Sequence, residues 1–477
     1  ETEDWLAHAR FQVDRDIIDG PISRIILGTD LSRRDKDRDI GQAFLTPPGN
    51  APQANIPEEA ILGSNVDLDF IGIGGMAALD TRFLLNNFLE RVPIELSSFN
   101  VPQAWSVRED VVTSFIRFDV DTLIQGRYAL TGNVGLQHVF TDQESTGFRV
   151  AGAEVGAGTA EGNFIPTTRG ASFNKFLPSL NLTLDMQNNF FARLGASRVM
   201  ARPRMDQLNA GLALNTNFNQ LTSTDPNQAF FSAGGGNPEL RPIMANTIDV
   251  SLEYYFANGE GYFAVTGFYK DLEDFINPTD SFTTDFSSFI DDFLTPEQAD
   301  TLGTPLGTTS GPTNRGDGEI KGLEISTSIP FGYFYQPLDG FGLVFNASHA
   351  QSEVNLGDDP NPTKVPGLSD WVASTTGFFE KQGFQVRVSH RYRGAFLSEI
   401  FGLSATRIQR DAKAESIVDA QIGYEFQSGA LEGLNILLQA NNLTDRPFTT
   451  FEGGDQRLVI DNQTFGRNFL IGANYRF

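Results

Sequence analysis

The sequence predicts an all-β fold: a transmembrane antiparallel β-barrel whose long extracellular loops carry short helices. Three observations predict it. Segments of roughly ten residues with apolar side chains at every second position recur from one end of the chain to the other, and strand side chains point to opposite faces in turn. Tight turns alternate with long loops, the arrangement of an outer-membrane barrel with short periplasmic and long extracellular connections. No apolar run in the chain approaches the ~18 residues of a membrane-spanning helix.

Composition narrows the function classes. The 477 residues include 47 Gly and 23 Pro with 20% charged side chains, and the mean hydropathy is -0.22, which excludes a disordered or collagen-like chain. There are 41 Phe and no Cys, so disulfides, thiolate metal sites and cysteine nucleophiles are out of consideration. A formal charge of -25 repels phosphate backbones, which argues against nucleic acid as a partner.

The elements follow in order. Trp5, Ala7, Ala9, Phe11 and Val13 alternate with polar neighbours, as do Leu180, Leu182 and Leu184, then Ile248, Val250, Leu252 and Tyr254, then Phe384, Val386, Val388, His390 and Tyr392. Strands are expected to begin near Trp5, Ile22, Thr113, Tyr128, Asn174, Phe190, Ala245, Tyr262, Gly318, Gly342, Asp370, Phe384, Glu415, Leu434 and Asn468. Asp19-Gly20, Gln187-Asn188-Asn189, Asn258-Gly259 and Lys381-Gln382-Gly383 read as tight turns. Long loops are expected between Arg33 and Glu109 and over Asp142–Ser172, Arg198–Met244, Asp271–Asp317 and Leu443–Arg467. Within them, Thr295-Pro296-Glu297-Gln298 has the N-cap, N1 and N3 residues of a helix start, and Asp80–Arg91 has helix-like apolar spacing.

Fifteen strands with a tight first connection and a long last one put the first and last strands in the same direction. An antiparallel barrel does not close that way. Roughly seven further strands would bring the total to about 22, so an N-terminal region is expected outside residues 1–477.

The chain ends in alternating apolar residues, Phe469, Ile471, Tyr475 and Phe477 among them, which resembles the terminal strand recognised by the barrel-assembly machinery. FLPSLNLTLDM (Phe176–Met186), GNPELRP (Gly236–Pro242), FYKDLEDFI (Phe268–Ile276), KGLEIS (Lys321–Ser326) and NNLTDRPF (Asn441–Phe448) together resemble, in order and position, blocks of the TonB-dependent receptor barrel. The long loops look most like those of the large receptors of Caulobacter- and Xanthomonas-type bacteria. The resemblance covers the chain and implies a protein of the Gram-negative outer membrane, a 22-stranded barrel closed by an N-terminal plug, and import of a scarce nutrient when TonB pulls on a TonB box. Plug and TonB box do not precede Glu1, so the chain reads as the C-terminal part of a receptor or as one half of a split receptor.

Chemistry is sparse. His8, His138, His349 and His390 lie on separate strands without metal-ligand spacing, and no nucleophile elbow, phosphate loop or dinucleotide fingerprint stands in its required context. No catalytic residue, metal or cofactor is therefore assigned, and the chain does not read as an enzyme. Asp35-Lys36-Asp37-Arg38-Asp39, Asp291-Asp292 and Asp358-Asp359 read as solvated loop charge, with calcium coordination the alternative. Arg10, Arg117, Arg193, Glu324, Arg387 and Arg391 fall on polar stripes and should face the lumen, because a charge facing lipid at mid-depth costs roughly 2–4 kcal/mol. There they serve either a plug contact and wall network or a passing solute. Trp105, Phe230 and Phe231 fall in expected loops, where they either pack loop on loop or stack on a ligand.

The expected function is energised uptake of a bulky nutrient through plug rearrangement, with membrane lipid, a plug-bearing region, TonB and the assembly machinery as partners. Net acidity favours a carbohydrate or other neutral solute, with a ferric siderophore as the alternative. A passive porin-like channel is the second reading. A soluble all-β adhesin is the third.

Overall fold

The computed structural model describes residues 2–39, 43–68, 73–93, 104–151, 163–357, 361–399 and 410–476. Fifteen wall strands follow one another: β1 (Thr2–Asp16), β2 (Ile22–Arg38), β3 (Trp105–Ile124), β4 (Tyr128–Ala151), β5 (Asn163–Asp185), β6 (Phe190–Ala201), β7 (Ile243–Phe256), β8 (Gly261–Asp285), β9 (Leu306–Pro330), β10 (Phe341–Leu356), β11 (Trp371–Lys381), β12 (Phe384–Arg393), β13 (Glu415–Glu425), β14 (Leu434–Asn441) and β15 (Asn468–Tyr475). Each pairs antiparallel with the next. The wall is the barrel strand sequence that the alternation predicts.

Register carries the alternation around the wall. Val13 opposes Leu27, Leu27 opposes Ile116, Ile116 opposes Leu136 and Leu136 opposes Pro178, so one apolar face runs continuously from strand to strand and forms the lipid side. Arg10, Asp30 and Thr113 oppose one another on the other face, which is the lumen. At the turn rim the lipid face carries an aromatic girdle: Phe190 against Tyr254 at 4.5 Å, Phe256 against Tyr333 at 5.6 Å and Phe341 against Phe379 at 4.5 Å. Aromatic rings in that position mark a membrane interface. At the loop end of the same face the charges begin, with Arg33 bound to Asp110 at 2.7 Å and Arg108 bound to Asp35 at 2.8 Å.

The turn rim uses left-handed residues where the chain must reverse. Gln187, Asn188 and Asn189 all have positive φ, and Gln382-Gly383, with φ of 53° and 80°, makes the two-residue reversal that suits the twist of paired strands. Alternation of tight and long connections is not strict, however. Residues 331–340 and 426–433 are longer turns on the tight side, the first built from the helical turns Phe331–Tyr333 and Gln336–Leu338.

Several strands start earlier than expected: β3 at Trp105, β5 at Asn163 and β9 at Leu306. Above the membrane both strand faces are polar or covered by loops, so the period-2 signal fades while hydrogen-bonded pairing continues. For the same reason Asp35–Arg38 belong to β2, not to a loop, and Trp105 opens β3. Asp142–Ser172 is strand on both flanks; its middle, Asp358-Asp359 and Phe477 lie outside the described residues.

The loop helices are short. Thr295 accepts from the Gln298 N–H at 3.4 Å and Gln298 Oε1 accepts from the Thr295 N–H at 3.0 Å, a complete capping box before Pro296–Ala299. Thr81–Phe83 and Leu84–Phe88 are helical with Asp80 as the cap, but extended backbone at Leu89 ends the helix before Arg91. Asp291 and Asp292 lie in a single helical turn, Ile290–Phe293.

Candidate functional site

The lumenal candidates are spread around the wall and each has a near neighbour. Arg117 on β3 binds Asp119 at 2.8 Å. Arg193 on β6 reaches Glu253 at 2.7 Å and donates to Thr183 Oγ1 at 3.0 Å, while the Tyr255 hydroxyl donates to Glu253 at 3.0 Å. Ser348 donates to Glu324 on β9 at 3.4 Å. On β12, Arg387 pairs with Glu380 and Arg391 with Asp419 at 2.9 Å. The Arg117–Asp119 pair lies within β3, the Arg193, Glu324, Arg387 and Arg391 contacts link adjacent strands, and none of them converges with the others on one point. Phe469, Ile471 and Tyr475 sit on the lipid side of β15, opposite Ala440, Leu438 and Leu434.

A denser arrangement forms at the loop end. The segment 202–242 between β6 and β7 folds inward over the upper lumen and carries a hairpin, Leu212–Thr216 with Phe231–Gly235. Leu212 pairs in parallel with Arg149 of β4, and Ser232–Gly234 pair in parallel with Thr308–Ser310 of β9. The hairpin thus spans from β4 to β9 as an arch.

Polar anchors hold the arch. The Gln143 side-chain amide, 2% exposed, donates to the carbonyls of Pro238 and Leu240 at 2.7 and 2.8 Å. Asn314 on β9 accepts from the Arg241 N–H at 2.8 Å and donates to the Arg241 and Asp274 carbonyls. Arg202 reaches Glu109 on β3 at 2.8 Å. GNPELRP is therefore a clamp of loop on wall: its Asn237 caps the Glu239 N–H and donates to the Pro312 carbonyl.

Apolar cores fill the space beneath and beside the arch. Trp105 and Val107 pack with Met205, Leu208, Leu240 and Ile276. Phe230 and Phe231, each 1% exposed, pack with Leu214, Phe286, Phe293 and Leu294. The three aromatic candidates are thus in loop cores, with no ring face open to solvent for a ligand. Two carboxylates steady the covering segment from outside. Ser287 hydroxyl and N–H hold the Asp285 carboxyl below its ordinary range, and the backbone N–H and Thr295 hydroxyl at the helix start do the same for Glu297.

Next to the arch, β2 presents Arg34, Lys36 and Arg38 to the lumen side, opposite Glu109, Val107 and Trp105 of β3. Arg34 and Lys36 share Asp4 at 2.5 and 3.5 Å. With Arg10 and Arg202 these cations outnumber the neighbouring carboxylates Asp4, Asp30 and Glu109. Below them a cavity of 510 Å³ is lined by His8, Asp30, Thr113, Gln137, Ser179 and Arg202, among others. Lys36 and Arg38 read from the sequence as part of a solvated loop cluster, and Arg34 is not singled out there. The alternation in LSRRDKDR, with a basic residue at 34, 36 and 38, is the signal that contains the row.

Residues 62–443 match the family model described as TonB dependent receptor-like, beta-barrel. The chain belongs to the TonB-dependent receptor β-barrel family. Membership places it in the cell outer membrane, and the blocks from FLPSLNLTLDM to NNLTDRPF take their positions as receptor wall and loop clamps. Solved structures of the family have the same fold: the siderophore receptor PiuA from Acinetobacter baumannii at 12% identity and a TM-score of 0.57, covering 99% of this chain and 56% of that one; the ferric citrate transporter FecA at 11% and 0.56, covering 100% and 55%; and the ferric-catecholate import receptor Fiu from E. coli K12 at 14% and 0.55, covering 100% and 55%. The chain spans about half the length of these receptors. No curated protein sequence matches it.

Proposed function

We propose that this chain supplies most of the wall of a TonB-dependent importer whose cargo is an anionic ferric chelate. The carrying observation is the basic row Arg34, Lys36 and Arg38 at the mouth of a chain whose overall charge is -25. Local charge, not net charge, acts on a ligand within a Debye length of about 8 Å, so the overall acidity that favours a neutral solute is outweighed at the mouth. Iron-chelate cargo in PiuA, FecA and Fiu fits the same reading. Arg117, Arg193, Glu324, Arg387 and Arg391 line the passage below and contact either a plug or the solute in transit.

Energy coupling is assigned to a plug and TonB box on a further region or a companion chain. Among the described residues β1 pairs with β2 alone and β15 with β14 alone. Both edges run in the same direction, so an odd number of strands between them completes an antiparallel ring, and no edge is left in lipid.

The test combines two measurements. Native protein is extracted from outer membranes in mild detergent, and every polypeptide that comigrates with it on an unboiled gel is identified by mass spectrometry; a plug-bearing region or chain is expected. Binding of iron-loaded catecholate and citrate chelates is then compared with that of neutral oligosaccharides. Chelate binding that weakens at least tenfold in Arg34→Ala/Lys36→Ala/Arg38→Ala supports the proposal. Preference for oligosaccharide overturns the cargo, and a sealed barrel of this chain alone with ohmic conductance makes it a passive channel.

A further inference from the structure

The pairings around the arch close on themselves. β4 pairs with β5, β5 with β6, β6 with β7, β7 with β8 and β8 with β9; β9 pairs with Phe231–Gly235, that strand with Leu212–Thr216, and Leu212 with β4. Eight strands thus form a closed circuit of pairings on one side of the wall: β5, β6 and β7 pair lower down, as far as Ser179 with Ser197 and Ala201 with Ile243, and the hairpin closes the circuit at the loop end. We infer that the arch is a fixed partition and not a gate, so that cargo passes outside this circuit, along the side bounded by β2 and by β10–β15. This goes beyond the importer reading and rests on it only for what passes.

Three observations carry the inference. A two-stranded hairpin alone is marginal in water, but this one is joined to the wall at both outer edges, through Leu212 with Arg149 on one side and Ser232–Gly234 with Thr308–Ser310 on the other, so opening it breaks pairings on two sides at once. Its apolar side packs into the loop core, with Leu214, Phe231 and Ala233 at 4%, 1% and 6% exposure against Phe230 and Phe286, so opening it would expose that core to water.

Glycines line its seams at positions where nothing larger fits. A Cβ on Gly307 would lie 2.0 Å from the Phe231 carbonyl oxygen, on Gly147 2.4 Å from the Gly211 nitrogen, and on Gly311 2.5 Å from the Gly235 carbonyl oxygen. Backbone is packed on backbone at all three, which leaves no slack for a hinge. A gate would need a seam that parts; this one is shaped for permanent contact. The row Arg34, Lys36 and Arg38 on β2 stands outside this circuit, on the side assigned to the cargo.

The absence of Cys from residues 1–477 makes a test available, because Ala233→Cys with Thr309→Cys, a register pair across the seam, introduces the only thiols of this chain. Hydrogen exchange is measured on the complete, detergent-solubilised receptor. Amides of 213–216 and 232–234 are expected to exchange at least 100-fold more slowly than those of 219–229, with iron chelate present or absent. Gly307→Val is expected to accelerate them at least tenfold while β10–β15 stay protected. The oxidised double-cysteine receptor is expected to bind and import iron-55 catecholate within twofold of its reduced form. Exchange within tenfold of 219–229, or import lost on oxidation and restored by reduction, overturns the inference. If the wild type takes up no chelate, the cargo reading fails while hydrogen exchange still decides the arch.

Discussion

The Glu109 carboxylate on the wall and the Arg202 guanidinium on the inward-folded segment meet at 2.8 Å, with the Glu109 side chain 5% exposed and that of Arg202 41%. This pair joins β3 to the start of the arch at the level where the lipid face has already given way to Arg108 and Asp110. Half of the contact is wet, so its strength lies between that of a surface pair and that of a buried one.

Glu109→Gln is expected to loosen residues 202–210 by about 1.5–3 kcal/mol, the range for a hydrogen bond to a charged group. Trypsin cleavage after Arg204, the Arg202–Pro203 bond being resistant to trypsin, reads it out and should accelerate at least fivefold, while the wall strands keep their heat resistance on gels. Unchanged cleavage would mean that Gln143 and Asn314 hold the segment without the ion pair.

Acidification should release the segment 285–302 before the wall. Carboxyls of Asp285 and Glu297 are held below their ordinary values by hydrogen bonds in the folded state. Groups lowered in this way add stability above the ordinary carboxylate range, near 4, and lose it as pH falls through their lowered values. Exchange at 285–302 is expected to rise as pH falls below the ordinary carboxylate range in the wild type and to change less in Asp285→Asn/Glu297→Gln.

Gly28→Val should destabilise the wall near β2. A Cβ at Gly28 would stand 2.4 Å from Phe115 Cζ, because the ring of Phe115 lies across the glycine on the neighbouring strand, an arrangement in which the aromatic covers backbone that no side chain shields. Overpacking of this kind costs about 1–3 kcal/mol. Loss of heat resistance on unboiled gels measures it, and Gly28→Val/Phe115→Ala is expected to recover part of it.

Asn442→Ala should unfasten the last long loop. Asn442, with φ of 52°, accepts from the Arg446 N–H at 2.9 Å and donates to the Gly466 carbonyl at 3.1 Å, tying both ends of the 442–467 connection together. A loss of about 1–3 kcal/mol is expected, read as proteolysis within 453–458. Asn442→Gly keeps the backbone conformation but not the bonds, so equal damage from both variants identifies the side chain as the cause.

The strands, their number and their lipid and lumen faces were legible in the sequence, because a wall that meets hydrocarbon on one side and polar surroundings on the other must alternate with period 2, as Trp5 to Val13 and Ile248 to Tyr254 do. Turns written as Asn188-Asn189 and Gln382-Gly383 were legible for a local reason, the left-handed backbone they tolerate. Tertiary structure alone decided what stands above the membrane. There no solvent boundary imposes a period, so β5 could begin at Asn163 and β9 at Leu306 without a sequence signature. Parallel pairing of Leu212 with Arg149 and of Ser232–Gly234 with Thr308–Ser310 is set by long-range packing of small residues. The burial of Phe230 and Phe231 and the convergence of Arg34, Lys36, Arg38 and Arg202 follow from that packing.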